Sequence, residues 1–304
     1  MITKRKQTPT NPRVSIVLPC YNGERFLSQS IESVINQTFK DWELIIVNDC
    51  STDSSPFIAE KYIAQDNRIS IIHNKTNKKL PASLNIGFAN ARGKYFTWTS
   101  DDNIAKPNWL STLVSTLDNN QDVSMVVADM TYIDETGKFI TTASKQYPNR
   151  NPKQLAYLCN VGAAFMYRKS IADKIGKYDE SAFCAEDFDY WCRIALNGQL
   201  MYIPDNIYDY RVQSGSLTAT KKDEQIIKTT RIIKKYYKQF ITVYHMNWLQ
   251  KQKLTFLLKP HVKQTCFGLI FRFYTFCAFN LCNIVFFWNS NLRHKFKSIL
   301  KIKL

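Results

Sequence analysis

The chain has 304 residues, 45% of them hydrophobic, with only 9 Gly and 10 Pro. That composition excludes a collagen-like, low-complexity or disordered chain and leaves room for a sizeable core and one or two domains. The formal net charge of +16 is unevenly spread: residues from Lys221 to Leu304 carry 17 Lys/Arg against 2 Asp/Glu, so the preceding 220 are close to neutral. A neutral body with a basic tail points to an anionic surface as the tail's partner. Behind the basic opening no apolar run has signal-peptide length, so export is not expected. The 8 cysteines show neither CxxC spacing nor the density of a small secreted scaffold, and reduced thiols in the cytoplasm are the expectation.

From Val14 short β-branched runs alternate with helix-period segments. VSIVL is followed by a helix through Phe26, Leu27, Ile31, Val34 and Ile35. Then come ELIIV, a helix through Ile58 and Tyr62, ISIIH at 69–73, a helix near 81–91, and KYFTW at 94–98. Continuously apolar strands separated by helices predict a parallel sheet covered on both faces, whose ligands sit at the carboxyl ends of the strands. Polar clusters fall there: Pro19-Cys20-Tyr21-Asn22, Asn48-Asp49-Cys50-Ser51-Thr52-Asp53 and Ser100-Asp101-Asp102-Asn103.

After Pro107 a helix through Leu110, Leu113, Val114 and Leu117 is predicted, followed by a hairpin of VSMVVADMTYID and KFITTA. Beyond it lie a strand near 163–167, a helix from Glu186 to about Leu196, and two strands, LMYIP and IYDYR. From Lys221 the pattern is helical and cationic. Ile226, Ile227, Thr230, Ile233, Tyr237 and Ile241 are expected to share one face, and the more apolar stretch Cys266 to Trp288 is flanked by lysines and arginines. The expected division is a basic N-terminal tail (1–12), an α/β domain (13–220) and a basic helical region (221–304).

Phosphate-loop, GxGxxG, GxSxG and HExxH patterns are absent, and His73 is the one histidine before residue 221, which argues against histidine catalysis. The chemistry left is acidic. Asp101 and Asp102 at a strand end repel each other unless a cation or hydrogen bonds compensate, and few oxygen ligands suit Mg²⁺ or Mn²⁺. By itself the pair also reads as a solvated loop with a helix cap.

Taken together, VSIVLPCYNGERFLSQSIESVINQTFKDWELIIVNDCSTD, LPASLNIGFANARGKY, GKYFTWTSDDN, GKYDESAFCAEDFDYWCRIALNG and IYDYRVQSGS resemble the family 2 glycosyltransferases of GT-A fold over roughly residues 13–217. The resemblance implies a Rossmann-like, mostly parallel sheet flanked by helices, and an inverting transfer from a nucleoside diphosphate sugar, UDP being the commoner nucleotide. It implies that Pro19, Tyr21 and Asn22 form the first nucleotide loop, with Tyr21 against the base, and that Asp49 accepts a hydrogen bond from the base. It assigns Asp101 and Asp102 to the ribose and a divalent metal, with Thr99 where the family often writes an aspartate and Cys50 where glycine is common. Asp187 of Glu186-Asp187 becomes the catalytic base, and Arg211 a diphosphate contact. Asp189 is expected to be structural, and Tyr190 and Trp191 to be core residues.

The implied acceptor is a glycan or a lipid-linked hydroxyl in bacterial surface polysaccharide assembly. The basic region is expected to hold the protein at the cytoplasmic face of an anionic membrane or to make an oligomer contact, and no nucleic acid is expected as partner. The competing reading is a degenerate nucleotide-binding protein with a nucleic-acid- or membrane-binding tail.

Overall fold

The computed structural model describes residues 11–247. The expected basic tail at 1–12 therefore lies almost wholly outside the described residues, as does the stretch Cys266 to Trp288.

The first half follows the predicted alternation: β1 (Val14–Cys20), α1 (Leu27–Ile35), β2 (Trp42–Asn48), α2 (Ser55–Gln65), β3 (Ile69–His73), α3 (Leu80–Ala89) and β4 (Tyr95–Trp98). After it come β5 (Ile104–Ala105), α4 (Trp109–Asn119), β6 (Val123–Ile133), β7 (Phe139–Thr142), α5 (Ala143–Gln146), β8 (Phe165–Arg168), α6 (Lys169–Ile175), α7 (Glu186–Asn197), β9 (Gln199–Arg211), α8 (Leu217–Thr220) and α9 (Lys222–Val243).

The strands form one sheet in the order β3-β2-β1-β4-β8-β6-β9-β5, with β7 paired on β6. The β3-β2-β1-β4 half is parallel, as its fully buried β2 requires. The other half is mixed: β8 runs antiparallel to both β4 and β6, while β6 and β9 are parallel. Helices bury the residues their periodicity selects, Leu27, Ile31 and Val34 in α1 and Trp109, Leu110, Leu113, Val114 and Leu117 in α4.

Two sequence expectations are corrected. LMYIP and IYDYR are one strand, β9, rather than two. Pro204 lacks an N–H for the ladder, and the chain accommodates it where the β6–β9 register jumps from Val127↔Tyr202 to Asp129↔Asn206, so the interruption is a bulge and not an end.

The second correction concerns residue 220, where no boundary between body and tail falls. Helix α9 packs on the body, burying Ile232, Ile233, Tyr236 and Phe240. Of the residues expected to share one face, Ile227 is 51% exposed, and Tyr237 and Ile241 are only partly covered. The face actually chosen offers two large aromatics and a polar anchor. Buried Asp189 of α7 accepts from Lys235 Nζ at 3.0 Å, from Tyr236 Oη at 2.9 Å and from Arg193 Nε at 2.8 Å. At about 1.5–3 kcal/mol for each fully buried large apolar side chain, this packing holds a helix that would be marginal alone.

Candidate active site

The polar loops after β1, β2 and β4 meet at the carboxyl edge of the parallel half, as such sheets dictate. The β1 loop is tied to the β2 loop through Asn22, which sits in the left-handed region at φ 54° that asparagine tolerates. Its Oδ1 accepts from Thr52 N at 2.9 Å, and its own N–H donates to Ser51 Oγ at 3.0 Å. Pro19 lies in the ladder of β1 opposite Val47, one residue before its end, and Tyr21 stands 52% exposed at the rim. Asp49 is buried, with Oδ1 accepting from Asn74 Nδ2 and Lys78 N, both at 2.8 Å, and Oδ2 from Lys79 N at 2.9 Å. That carboxylate pins the 74–79 segment and keeps further acceptor capacity on its oxygens.

Asp101 and Asp102 are adjacent but diverge. Asp101 lies under the β1 loop, near the Cys20 thiol and the Tyr21 N–H, so close to Gly23 that a Cβ on that glycine would be 2.3 Å from Oδ2. Burial, and then the neighbouring charge of Asp102, push its carboxyl up to about 7. Asp102 faces the end of β9: Gln213 Nε2 donates to its Oδ2 at 2.6 Å and Arg211 Nε to its carbonyl at 2.9 Å. Burial also raises the Asp102 carboxyl.

Arg211 is placed differently from the reach toward open space that a diphosphate contact requires. It is 2% exposed, and its guanidinium also donates to the carbonyls of Asp134 and Glu135, at 3.2 and 3.0 Å, and to Gln29 Oε1 at 2.6 Å. Together with the bond from its backbone N–H to Asn103 Oδ1 at 2.9 Å, this makes it a brace joining α1, the β6–β7 turn and the Asp102 loop.

Glu186 and Asp187 open α7, after Cys184 in a left-handed conformation at φ 77°. Four non-glycine residues with positive φ, Asn22, Cys50, Lys79 and Cys184, fall in the loops that build this edge, where strain commonly concentrates. Glu186 is buried with Oε2 unpartnered; burial, and then the charge of Asp187, push it up to about 8. Burial raises Asp187 as well, despite the Phe188 N–H donating to its Oδ1 at 2.6 Å. The Tyr210 phenol is raised by burial, and the negative charges of Asp102 and Asp187 add to that rise.

Asp189, Tyr190 and Trp191 point away from this edge. Asp189 anchors α9, Tyr190 stacks on Tyr178 at 3.9 Å between ring centroids, and Trp191 is fully buried against Phe165. Thr99 is buried and hydrogen-bonds Tyr208, so it does not stand in as a metal donor. Among the described residues no three His, Cys, Asp or Glu side chains converge into an all-protein metal cage. The Asp102 carboxylate, held through one oxygen by Gln213, fits a Mg²⁺ or Mn²⁺ ion that completes its shell with water and phosphate oxygens. Gly23, Gln29, Tyr210 and Gln213 are site residues the sequence reading did not single out. The alternation in IYDYR puts Tyr210 and Arg211 on opposite faces, but Gln213 carries no sequence signal.

The family model described as glycosyl transferase family 2 matches residues 15–176. A glycosyltransferase of Haemophilus influenzae is 30% identical over 246 residues, 77% of this chain and 74% of that protein. Among solved structures, S. aureus TarS in complex with UDP-GlcNAc superposes with a TM-score of 0.65 at 19% identity, over 84% of this chain and 75% of that one. The mannosyltransferase PcManGT of Pyrobaculum calidifontis, in complex with GDP-Man and Mn²⁺, gives 0.60 at 14% identity over 90% and 81%. Both likenesses establish the fold, a mixed α/β sheet of GT-A type.

Proposed function

The chain belongs to glycosyl transferase family 2 and is a glycosyltransferase, and from that premise we propose that it transfers a sugar, with inversion, from a nucleoside diphosphate donor to a hydroxyl of a glycan or lipid-linked acceptor in surface polysaccharide assembly. The observation that carries this reading is the buried Asp101-Asp102 loop at the carboxyl edge of the parallel half, where Gln213 holds the Asp102 carboxylate at 2.6 Å and Arg211 its carbonyl at 2.9 Å.

In this reading the base of the nucleotide lies against Tyr21 and donates to Asp49, with Pro19 and Asn22 shaping the loop beneath it. Asp102, with Asp101 beside it, would hold a divalent ion, which supplies positive charge where the leaving diphosphate becomes more negative. Gln213 and Arg211 fix Asp102 from the side and from its carbonyl. Asp187 takes the proton of the acceptor hydroxyl as that oxygen bonds to the anomeric carbon. The bond from that carbon to the diphosphate oxygen breaks on the opposite face, and its electron pair leaves with the diphosphate. Burial strengthens Asp187 as a base by raising its proton affinity above that of a free carboxylate. Burial and the charge of Asp187 raise the neighbouring Glu186 as well, so the pair holds a proton more tightly than free carboxylates do. A uridine diphosphate sugar is the preferred donor, in keeping with the UDP-GlcNAc bound by TarS, while the GDP-Man of PcManGT marks the alternative.

The test is release of UDP, GDP or dTDP from a panel of nucleotide sugars in the presence of bacterial membrane extract as acceptor source. Asp187→Asn is expected to lower kcat at least 100-fold with the donor KM within about twofold. Full activity in that variant contradicts the assignment.

A further inference from the structure

We propose that the outward face of α9 is a docking surface for an anionic lipid bilayer. At 100° per residue, Ile227, Arg231, Lys234, Lys238 and Ile241 fall within about 80° of one another, opposite the buried Ile232, Ile233, Tyr236 and Phe240. The three cations are exposed, and Ile227 is 51% exposed. The two lysines nearer the body are spent elsewhere: Lys228 donates to the Ser181 carbonyl at 2.6 Å and Lys235 to Asp189. The helix's own acids, Asp223 and Glu224, lie on or beside the same face but in the first turn, before Ile227. Packing therefore leaves a one-sign stripe, one cation per turn, with aliphatic side chains at both ends.

Charge decides the occupant. Residues 248–304 contain 10 Lys/Arg and no Asp or Glu, so their charge does not complement the stripe. A second copy paired through the same face would set like charges against each other. An anionic partner remains. Lipid is favoured over nucleic acid because Ile227 and Ile241 flank the cations, which suits headgroups over an acyl boundary, and the stripe presents no fully exposed aromatic for base stacking. The surface supplies a place of action for a lipid-linked acceptor, but it stands independently of the transfer chemistry.

The experiment is co-sedimentation of the full chain with vesicles of phosphatidylcholine containing 30% phosphatidylglycerol, with pure phosphatidylcholine vesicles and a single-stranded oligonucleotide alongside. The wild type is expected to bind the anionic vesicles, less tightly as salt rises, and neither of the other two. R231E/K234E/K238E is expected to weaken binding at least tenfold with an unchanged thermal midpoint, while K234R/K238R binds as the wild type does. Unchanged binding by the charge-reversed variant, no binding by the wild type, or preference for the oligonucleotide would each overturn the proposal. Nucleotide release measured on the same preparations reports on the reaction separately.

Discussion

Gln213 Nε2 donates to Asp102 Oδ2 at 2.6 Å, joining the segment that follows β9 to the carboxylate at the end of β4. That bond leaves the other oxygen of Asp102 for a cation and fixes the direction in which it points. Partners that orient a metal-binding carboxylate commonly matter by 10- to 100-fold in metal affinity. Gln213→Ala is therefore expected to weaken Mn²⁺-dependent nucleotide binding about tenfold, with little effect on metal-free binding. Equal losses with and without Mn²⁺ would show that Gln213 shapes the loop and not the carboxylate.

Gly23 owes its place to Asp101. A Cβ there would lie 2.3 Å from Asp101 Oδ2 and 2.7 Å from its Cγ, and the buried carboxylate has little room to retreat. Gly23→Ala should reduce nucleotide affinity at least tenfold while lowering the thermal midpoint by no more than a few degrees. Wild-type affinity in this variant would mean that Asp101 is free to move without consequence.

Cys50 adopts φ 64°, the left-handed region that disfavours a Cβ by about 1–2 kcal/mol. Glycine gives back part of that through the greater freedom of the unfolded chain. Cys50→Gly is expected to stabilise the fold by up to about 1 kcal/mol, read from chemical unfolding. Destabilisation would show that the weak contact from Cys50 Sγ to the Lys75 carbonyl, at 3.6 Å, outweighs backbone strain.

The acidic pair at the start of α7 makes stability depend on pH. Burial, then the charge of Asp187, raise Glu186 from its ordinary value of 4.5 to about 8. Between those values the folded protein keeps a proton that the unfolded chain has released, so stability falls as pH rises through this window and levels off above about 8. Glu186→Gln removes that slope. Thermal midpoints from pH 5 to 9 should show the variant gaining on the wild type as pH rises, and parallel curves would contradict the burial of an uncompensated acid.

The parallel half of the sheet was legible because hydrophobic burial on both faces of β1, β2 and β3 writes itself as unbroken apolar runs, and the acidic clusters follow directly at their ends. Pro204 misled the reading of β9 because a bulge and a strand end look alike in one dimension. Helix α9 carries two overlapping apolar stripes, and only the position of Asp189 and the room for Tyr236 and Phe240 select between them. The bracing bonds of Arg211 were not legible, since its partners Gln29, Asp134 and Glu135 lie on elements remote in sequence. Gln213 and Gly23 act through single contacts of 2.6 Å and a missing Cβ, which no local pattern announces.

In the proposed mechanism Asp102 serves the diphosphate side of the site and Asp187 the acceptor side. Calorimetric titration of UDP, GDP and dTDP, with and without Mn²⁺, into the wild type, Asp102→Ala and Asp187→Asn tests it directly. The account predicts Mn²⁺-dependent binding of one nucleotide, weakened at least tenfold by Asp102→Ala and retained by Asp187→Asn. Failure of all three nucleotides to bind the wild type, or equal binding by wild type and Asp102→Ala, would contradict it.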